Sequence, residues 1–408
     1  MKLVVEKTAG LNGSVIAPPS KSHTHRAILI ASLADGASTI RNPLMCDDTL
    51  ATVDACGKFG AKLEAGEALQ ITGVKGKPRR SDTDVNARDS GTTMRFMAAA
   101  FALCEGATVL TGGESLRARP IAPLLASLAD LGVKRARALN NGCPPVSITG
   151  RMTGGKTSLS GESSQYLSAL LLACPLAKND SMIAVSGLNS MPYVRITIEH
   201  IERAGARVWG KDMANFFILG GRSYRPIDYM VPGDYSSAAF LLAAAEVTGS
   251  DIDIRGLDPD DLQGDRAIRD IIGEMRSGEK RELSLRDNPD LLPVLAVLGC
   301  HANGETFLKN AAHARAKESD RISAICSELR KMGADIMERD DGLVVRNSRL
   351  HGAELDGHKD HRIVMALAVA GLAAEGRTII NGADSISKSY PGFANDLAKL
   401  GADIRTVE

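Results

Sequence analysis

The densest run of reactive side chains in this 408-residue chain is Arg315-Ala-Lys317-Glu318-Ser-Asp320-Arg321, where five of seven residues ionise and both signs mix. As plain structure it is a solvated helix start, with Glu318 and Arg321 paired three residues apart. As chemistry it is an acid–base station beside an anion clamp. Lys and Glu held together can share a proton, and Arg offers a fork to a carboxylate or phosphate. More cations, Lys21, Arg26, Arg88, Arg95 and Arg362, lie in or beside short polar segments that lead into apolar runs. If those runs are helices, their first N–H groups add partial positive charge at the same places. The combination suits a small molecule with several negative charges.

Other chemistries lack their residues. The chain has no G-x-G-x-x-G opening a helix, no G-x-x-x-x-G-K-[ST], no H-E-x-x-H and no G-x-S-x-G. His358-Lys-Asp-His361 and His23-Thr-His25 have the spacing of metal pairs, but nothing else clusters with them, so no metal is expected.

The positioning elements repeat. Six stretches are apolar almost all round: Ala27–Ala34, Met94–Cys104, Tyr166–Cys174, Ala238–Val247, Leu291–Gly299 and Ile363–Ala373. A helix apolar on every side is a buried one. Each follows small polar residues able to cap a helix. Markers at Ser20, Ser90, Ser163, Ser236, Asp290 and Asp360 are spaced by 70, 73, 73, 54 and 70 residues. A second series marks an amphipathic helix that ends in Gly and passes into a strand: Gly60, Gly132, Gly205, Gly278, Gly333 and Gly401. Its intervals are 72, 73, 73, 55 and 68. The shortened interval falls at the same place in both series, which argues for six copies of one α/β unit, three to a domain. The seam is expected at Tyr224–Gly233. Pattern alone does not say which domain takes the first strand.

Lys plus Arg number 49 and Asp plus Glu 49, so the formal charge is zero, which argues against a nucleic-acid partner. Apolar residues at 44% and charged ones at 24% are globular values. No apolar run reaches the ~18 residues of a membrane span. The first residues read as neither signal nor transit peptide, and seven scattered cysteines without C-x-x-C spacing read as reduced thiols, so a cytoplasmic location is expected.

Several blocks then fall in one order: Pro19-Ser-Lys-Ser-His-Thr-His-Arg26, Asp89-Ser-Gly-Thr-Thr-Met-Arg95, Arg117-Ala-Arg-Pro120, Gly161-Glu-Ser-Ser-Gln165, Ser190-Met-Pro-Tyr193, Gly233-Asp-Tyr-Ser-Ser237, Asn288-Pro-Asp290, Arg315–Arg321, Asp360-His-Arg362 and Lys388-Ser-Tyr-Pro391. From about Leu11 to Leu400 the chain resembles the 5-enolpyruvylshikimate-3-phosphate synthase family of enolpyruvyl transferases. The resemblance implies a two-domain inside-out α/β barrel with the active site in the interdomain cleft. Residues 15–230 would form the first domain, and 1–14 plus 231–408 the second. It implies transfer of enolpyruvyl from phosphoenolpyruvate to the 5-hydroxyl of 3-phosphoshikimate by addition and elimination. No cofactor, metal, nucleic acid or membrane would take part, and the protein would be a monomer.

The same resemblance assigns residues. Asp290 would take the hydroxyl proton, and Lys21 and Glu318 would exchange the proton at C3. Phosphoenolpyruvate would be held by Lys21, Gly91, Arg119, Gln165, Glu318, Arg321, His361, Arg362 and Lys388. 3-Phosphoshikimate would meet Lys21, Ser22, Arg26, Ser163, Ser164, Gln165, Ser190, Tyr193, Asp290, His313 and Lys317. Two departures stand out: His313 where many members carry Asn, which makes that contact pH-sensitive in principle, and Arg88-Asp89 in place of Gly-Asn. Retained Gly91 implies sensitivity to glyphosate. The rival enzyme is the sister UDP-N-acetylglucosamine enolpyruvyl transferase. Against it, Gly112-Gly113-Glu114-Ser115-Leu116-Arg117 has no Cys, and Ser22 follows Lys21 where the sister family has Asn. A non-catalytic anion-binding scaffold is the other rival.

Overall fold

The computed structural model describes residues 1–210, 212–277 and 280–408. The chain divides into two compact units, Pro19–Pro232 and Met1–Pro18 with Gly233–Glu408. The changeovers fall at Pro18–Pro19 and Pro232–Gly233. Residues 15–18 group with the C-terminal unit because strand Ser14–Ile16 pairs in parallel with Asp253–Arg255.

All six apolar stretches are helical: Lys21–Leu33, Gly91–Phe101, Ser164–Ala173, Tyr235–Val247, Leu292–His301 and His361–Ala373. In each unit three of them pack on one another in the core, and sheets lie outside them. The sheet strands alternate buried and exposed positions, as in Ser181–Ser186, because one face meets the helices and the other meets water.

The second marker series has a common geometry. Gly60, Gly132, Gly205, Gly333 and Gly401 each lie two residues past a helix end, with φ between +87° and +111°. In each case the glycine N–H and the next residue's N–H bond back into the last turn, as in Gly60 to Gly57 and Ala61 to Cys56. This double closure needs a left-handed residue, which glycine supplies without a Cβ clash. Gly278 lies outside the described residues.

In the second, third and fifth repeats, a strand leads to a buried helix, a parallel strand, an amphipathic helix and an antiparallel hairpin. The second repeat, for example, runs Val85–Asn86, Gly91–Phe101, Ala107–Thr111, Ala122–Asp130 and the hairpin of Arg135–Asn140 with Cys143–Thr149. Five sheets have four strands. The sixth, Asp253–Arg255 with Ser14–Ile16, has two; among the described residues the fourth repeat lacks the hairpin. That missing hairpin is the physical content of the shortened interval. The first strand, Lys2–Val5, inserts between Thr378–Asn381 and Ile404–Val407 and completes the sixth repeat.

Two of the marker residues sit just inside their helix starts. The fourth buried helix is capped by Asp234, whose carboxylate accepts from the Ser237 N–H at 2.8 Å. The fifth begins through a 3₁₀ turn, Pro289–Leu291, with Asn288 at its cap position. Asp290 therefore sits inside the turn, and its carboxylate does other work.

The zero net charge hides a division. Residues 19–232 carry 25 Lys and Arg against 18 Asp and Glu; the other unit carries 24 against 31.

Candidate functional site

Each unit carries its share of the expected residues at the starts of its buried helices and in the turns and helix starts of the segments between them. In the unit of residues 19–232, Lys21 is the first residue of its helix, and its ammonium meets Asp48 Oδ2 at 2.9 Å. The Asp48 carbonyl in turn accepts from the Thr93 hydroxyl at 3.1 Å, which ties this corner to the start of helix Gly91–Phe101. Arg26, one turn along, is 2% exposed. Its guanidinium donates to Thr197 Oγ1 at 2.7 Å and to the Ser22 and Tyr193 carbonyls at 2.9 Å each. Burial lowers its pKa to about 10, opposed by Tyr193 and Tyr229. At neutral pH it remains a cation.

Gly91 opens the second helix against two arginines. A Cβ there would stand 2.3 Å from Arg95 Nη1 and 3.1 Å from Arg119 Nη1, so only glycine leaves the backbone and both guanidinium groups in place. Gln165 bridges the second and third helices: its amide donates to Thr92 Oγ1 and its oxygen accepts from Arg95 Nη1, both at 2.9 Å. Arg119 is 6% exposed and donates to Ser115 Oγ at 3.0 Å. Ser163 caps the third helix, Ser164 begins it, and Ser190 starts Met191–Arg203 from a left-handed φ of 55°. The loops of Ser163 and Ser190 adjoin, since the Asn189 N–H donates to the Gly161 carbonyl at 3.0 Å. Arg88 turns instead to Asp54 at 2.8 Å, and Asp89 accepts from the Leu116 N–H.

The other unit builds a charge network around Arg321, which is 1% exposed. Arg321 donates to Asp290 Oδ1 at 2.6 Å, Glu318 Oε2 at 2.6 Å and Asp360 Oδ2 at 2.8 Å. Asp360 also caps helix His361–Ala373 by accepting from the Arg362 N–H at 2.9 Å. Arg362 and Lys317 complete the ring around Asp290 at 3.1 Å and 3.5 Å. Burial pushes the Asp290 pKa up, but Arg362, Lys317 and Arg321 outweigh it and hold the carboxyl well below the usual range. Burial likewise opposes the Arg321 charge, and Asp360, Glu318 and Asp290 overcome it.

His313 is pushed down to about 4, first by burial and then by the Lys317 charge. It is neutral at physiological pH, so the expected pH-sensitive contact lies outside that range. His361 is buried beside Asp360, with Nδ1 3.8 Å from Oδ1. Lys388 donates to the Lys359 carbonyl at 3.2 Å.

The two histidine pairs do not converge. His23 Nδ1 meets His200 and the Tyr229 hydroxyl, whereas His25 Nδ1 meets Thr52. His358 reaches Glu328 at 3.0 Å. Among the described residues, no three His, Cys, Asp or Glu side chains are grouped to hold a metal ion.

Sequence reasoning missed three carboxylates as site residues. Asp48 pairs with Lys21, and Asp360 holds Arg321. Asp265 is fully buried, accepts from the Ser236 hydroxyl, and is pushed up to about 6, first by burial and next by the Asp290 charge. Asp360 stood in a recognised block; its pairing with Arg321, 39 residues away, has no sequence signal.

Taken unit by unit, one set offers cations, hydroxyls and helix N–H groups, and the other offers carboxylates held among cations. These suit anion binding and proton transfer respectively. The family model for EPSP synthase (3-phosphoshikimate 1-carboxyvinyltransferase) matches residues 5–397. A 3-phosphoshikimate 1-carboxyvinyltransferase of Acetivibrio thermocellus is 42% identical over 424 aligned positions, covering 100% of both chains. One of Methanocella arvoryzae is 47% identical, covering 96% of this chain and 97% of the relative. A solved structure of EPSP synthase from Acinetobacter baumannii superposes with a TM-score of 0.85 at 25% identity, covering 100% of both chains.

Proposed function

The chain belongs to the EPSP synthase (3-phosphoshikimate 1-carboxyvinyltransferase) family, and on that premise we propose how its residues divide the reaction. The protein is a transferase of the shikimate pathway, in aromatic amino-acid biosynthesis. It moves the enolpyruvyl group of phosphoenolpyruvate to the 5-hydroxyl of 3-phosphoshikimate and releases phosphate.

C3 of the enol gains a proton, the 5-hydroxyl adds to C2, and the resulting ketal loses a C3 proton and phosphate. Lys21 and Glu318 handle the C3 proton, and Asp290 accepts the proton of the hydroxyl. Gly91, Arg119, Gln165, Arg321, His361, Arg362 and Lys388 hold phosphoenolpyruvate. Ser22, Arg26, Ser163, Ser164, Ser190, Tyr193, His313 and Lys317 hold 3-phosphoshikimate. The observation that carries this reading is the Asp290 carboxylate, gripped by Arg321, Arg362 and Lys317. A carboxylate so held is ionised but weakly basic. When the substrates' anionic groups draw Arg362 and Lys317 toward themselves, Asp290 loses cationic neighbours and becomes a stronger base where a base is needed. His313, neutral at that pH, serves as a hydrogen-bond partner.

We read the protein as a cytoplasmic monomer that uses neither metal nor organic cofactor. Phosphate release from phosphoenolpyruvate tests the assignment. Release is expected with 3-phosphoshikimate in the presence of a chelator, inhibited by glyphosate in competition with phosphoenolpyruvate. No release is expected with UDP-N-acetylglucosamine, and the opposite preference would sink the reading.

Gly91→Ala gives a more local test. The methyl group would displace the Arg95 guanidinium by about an ångström and that of Arg119 by a few tenths of an ångström. The KM for phosphoenolpyruvate should rise about ten- to a hundredfold. The KM for 3-phosphoshikimate should change little. Equal rises in both would mean that Gly91 serves general packing.

A further inference from the structure

We propose that the unit of residues 19–232 holds a second anion site: a depression at the C-terminal ends of its three buried helices that takes a compact inorganic polyphosphate. The depression has a volume of ≈620 Å³. Its walls are the loops that close those helices. The Gly76 N–H donates to the Leu33 carbonyl at 2.8 Å, Met152 to Ala102 at 2.6 Å and Gly221 to Ala177 at 2.6 Å. The residues assigned to the reaction cluster at the opposite, N-terminal ends. Helices of 13, 11 and 10 residues separate the two places by roughly 15–20 Å.

All three repeats contribute cations to the rim: Lys75 and Lys77, Lys134 and Arg151, and Lys178 and Arg222. Glu105 is the one carboxylate in the lining. Lys75 pairs with Asp35 at 3.0 Å. The side chains of the other five make no ion pair or hydrogen bond with any described residue.

The simplest alternative is that these cations offset the helix dipoles. Each helix C-terminus carries about half a negative charge, so three carry about 1.5. Five unpaired cations less Glu105 exceed that by about two to three charges. The other unit shows how such loops look when their charges are satisfied internally. There Lys7, which follows its sheet strand as Lys75 follows Ala68–Thr72, pairs with Glu375 at 2.5 Å, and Arg377 pairs with Glu6 at 2.5 Å. Glu375 lies between buried helix and strand, as Glu105 does. The loops of the sixth repeat carry closed pairs, and those around the depression carry unmatched cations.

The lining sets the ligand class. It contains no aromatic side chain on which a nucleobase would stack. Met152 and Leu176, the large apolar residues, are buried beneath it. Cations spread around a rim suit charge spread along a short chain of phosphates.

Isothermal titration of the full-length protein with inorganic tripolyphosphate tests the site. The reaction site is kept saturated with 3-phosphoshikimate and glyphosate throughout. One binding event should persist under these conditions and weaken at least tenfold when salt rises from about 50 to about 300 mM. In the triple variant Lys134→Ala, Arg151→Ala, Arg222→Ala the affinity should fall at least tenfold while kcat stays unchanged, which also reports that the variant is folded. Two results overturn the proposal: undiminished binding by the triple variant, or loss of the event once the reaction site is saturated, which marks an adventitious ion there only.

Discussion

Asp290→Asn should lower kcat by about 10²- to 10⁴-fold, the usual contribution of a positioned general base. The binding of 3-phosphoshikimate and glyphosate should hold or tighten. The change keeps the side chain's shape but removes its charge and its capacity to take a proton. Arg362 and Lys317, at 3.1 Å and 3.5 Å, then face one anion fewer and attract substrate anions more strongly. Turnover and affinity should therefore move in opposite directions, which general damage to the fold would not produce. Steady-state kinetics with a direct binding measurement would decide it; a kcat within tenfold of the parent would remove Asp290 from its assigned role.

Arg321→Ala should be the most destabilising single change in this region. Arg321 is 1% exposed and bonds to three carboxylates. Removing it leaves buried negative charge without its counter-ion, which costs about 3–5 kcal/mol. For a unit of this size that lowers Tm by roughly 10 °C. The pH dependence has a definite sign. In the parent, the depressed Asp290 pKa contributes stability above the unfolded carboxylate pKa, and that contribution is lost as pH falls through the folded value. In the variant the stranded carboxylates prefer their protons, so their folded pKa values lie above the unfolded ones. The variant's deficit should then be smaller near pH 5 than near pH 8. A deficit that is flat with pH would mean the loss is one of packing.

Apart from Glu318 with Arg321, three residues apart and readable as a pair, both predictions rest on pairings that no local pattern announces. Ser90, Ser163 and Asp360 were readable as helix starts because capping is a contest between neighbours in sequence. The closing glycines were readable for the same reason: Gly60 and Gly401 bond to residues within five positions. Even the shortened repeat was visible as an interval, although that it meant a lost hairpin was not. Asp290 was legible as chemistry and as a spacing marker, but not its place inside a 3₁₀ turn, which moves the α-helix start to Leu292. The Lys21–Asp48 and Arg321–Asp360 contacts join residues 27 and 39 positions apart, and Arg26–Thr197 spans 171. Such contacts exist only once the sheets have set the helices side by side. Asp265 shows the same limit, since its raised pKa follows from burial and from the Asp290 charge, both products of packing.

The place of Lys2–Val5 also bears on how the protein is made. That strand is synthesised more than 370 residues ahead of either of its two neighbours, Thr378–Asn381 and Ile404–Val407. At typical elongation rates the interval is about 20–80 s. Throughout that time an apolar segment, Leu3-Val-Val5, waits without partners while the unit of residues 19–232 emerges complete and can fold. The nascent chain must keep this early strand from pairing elsewhere until its two partners have been made.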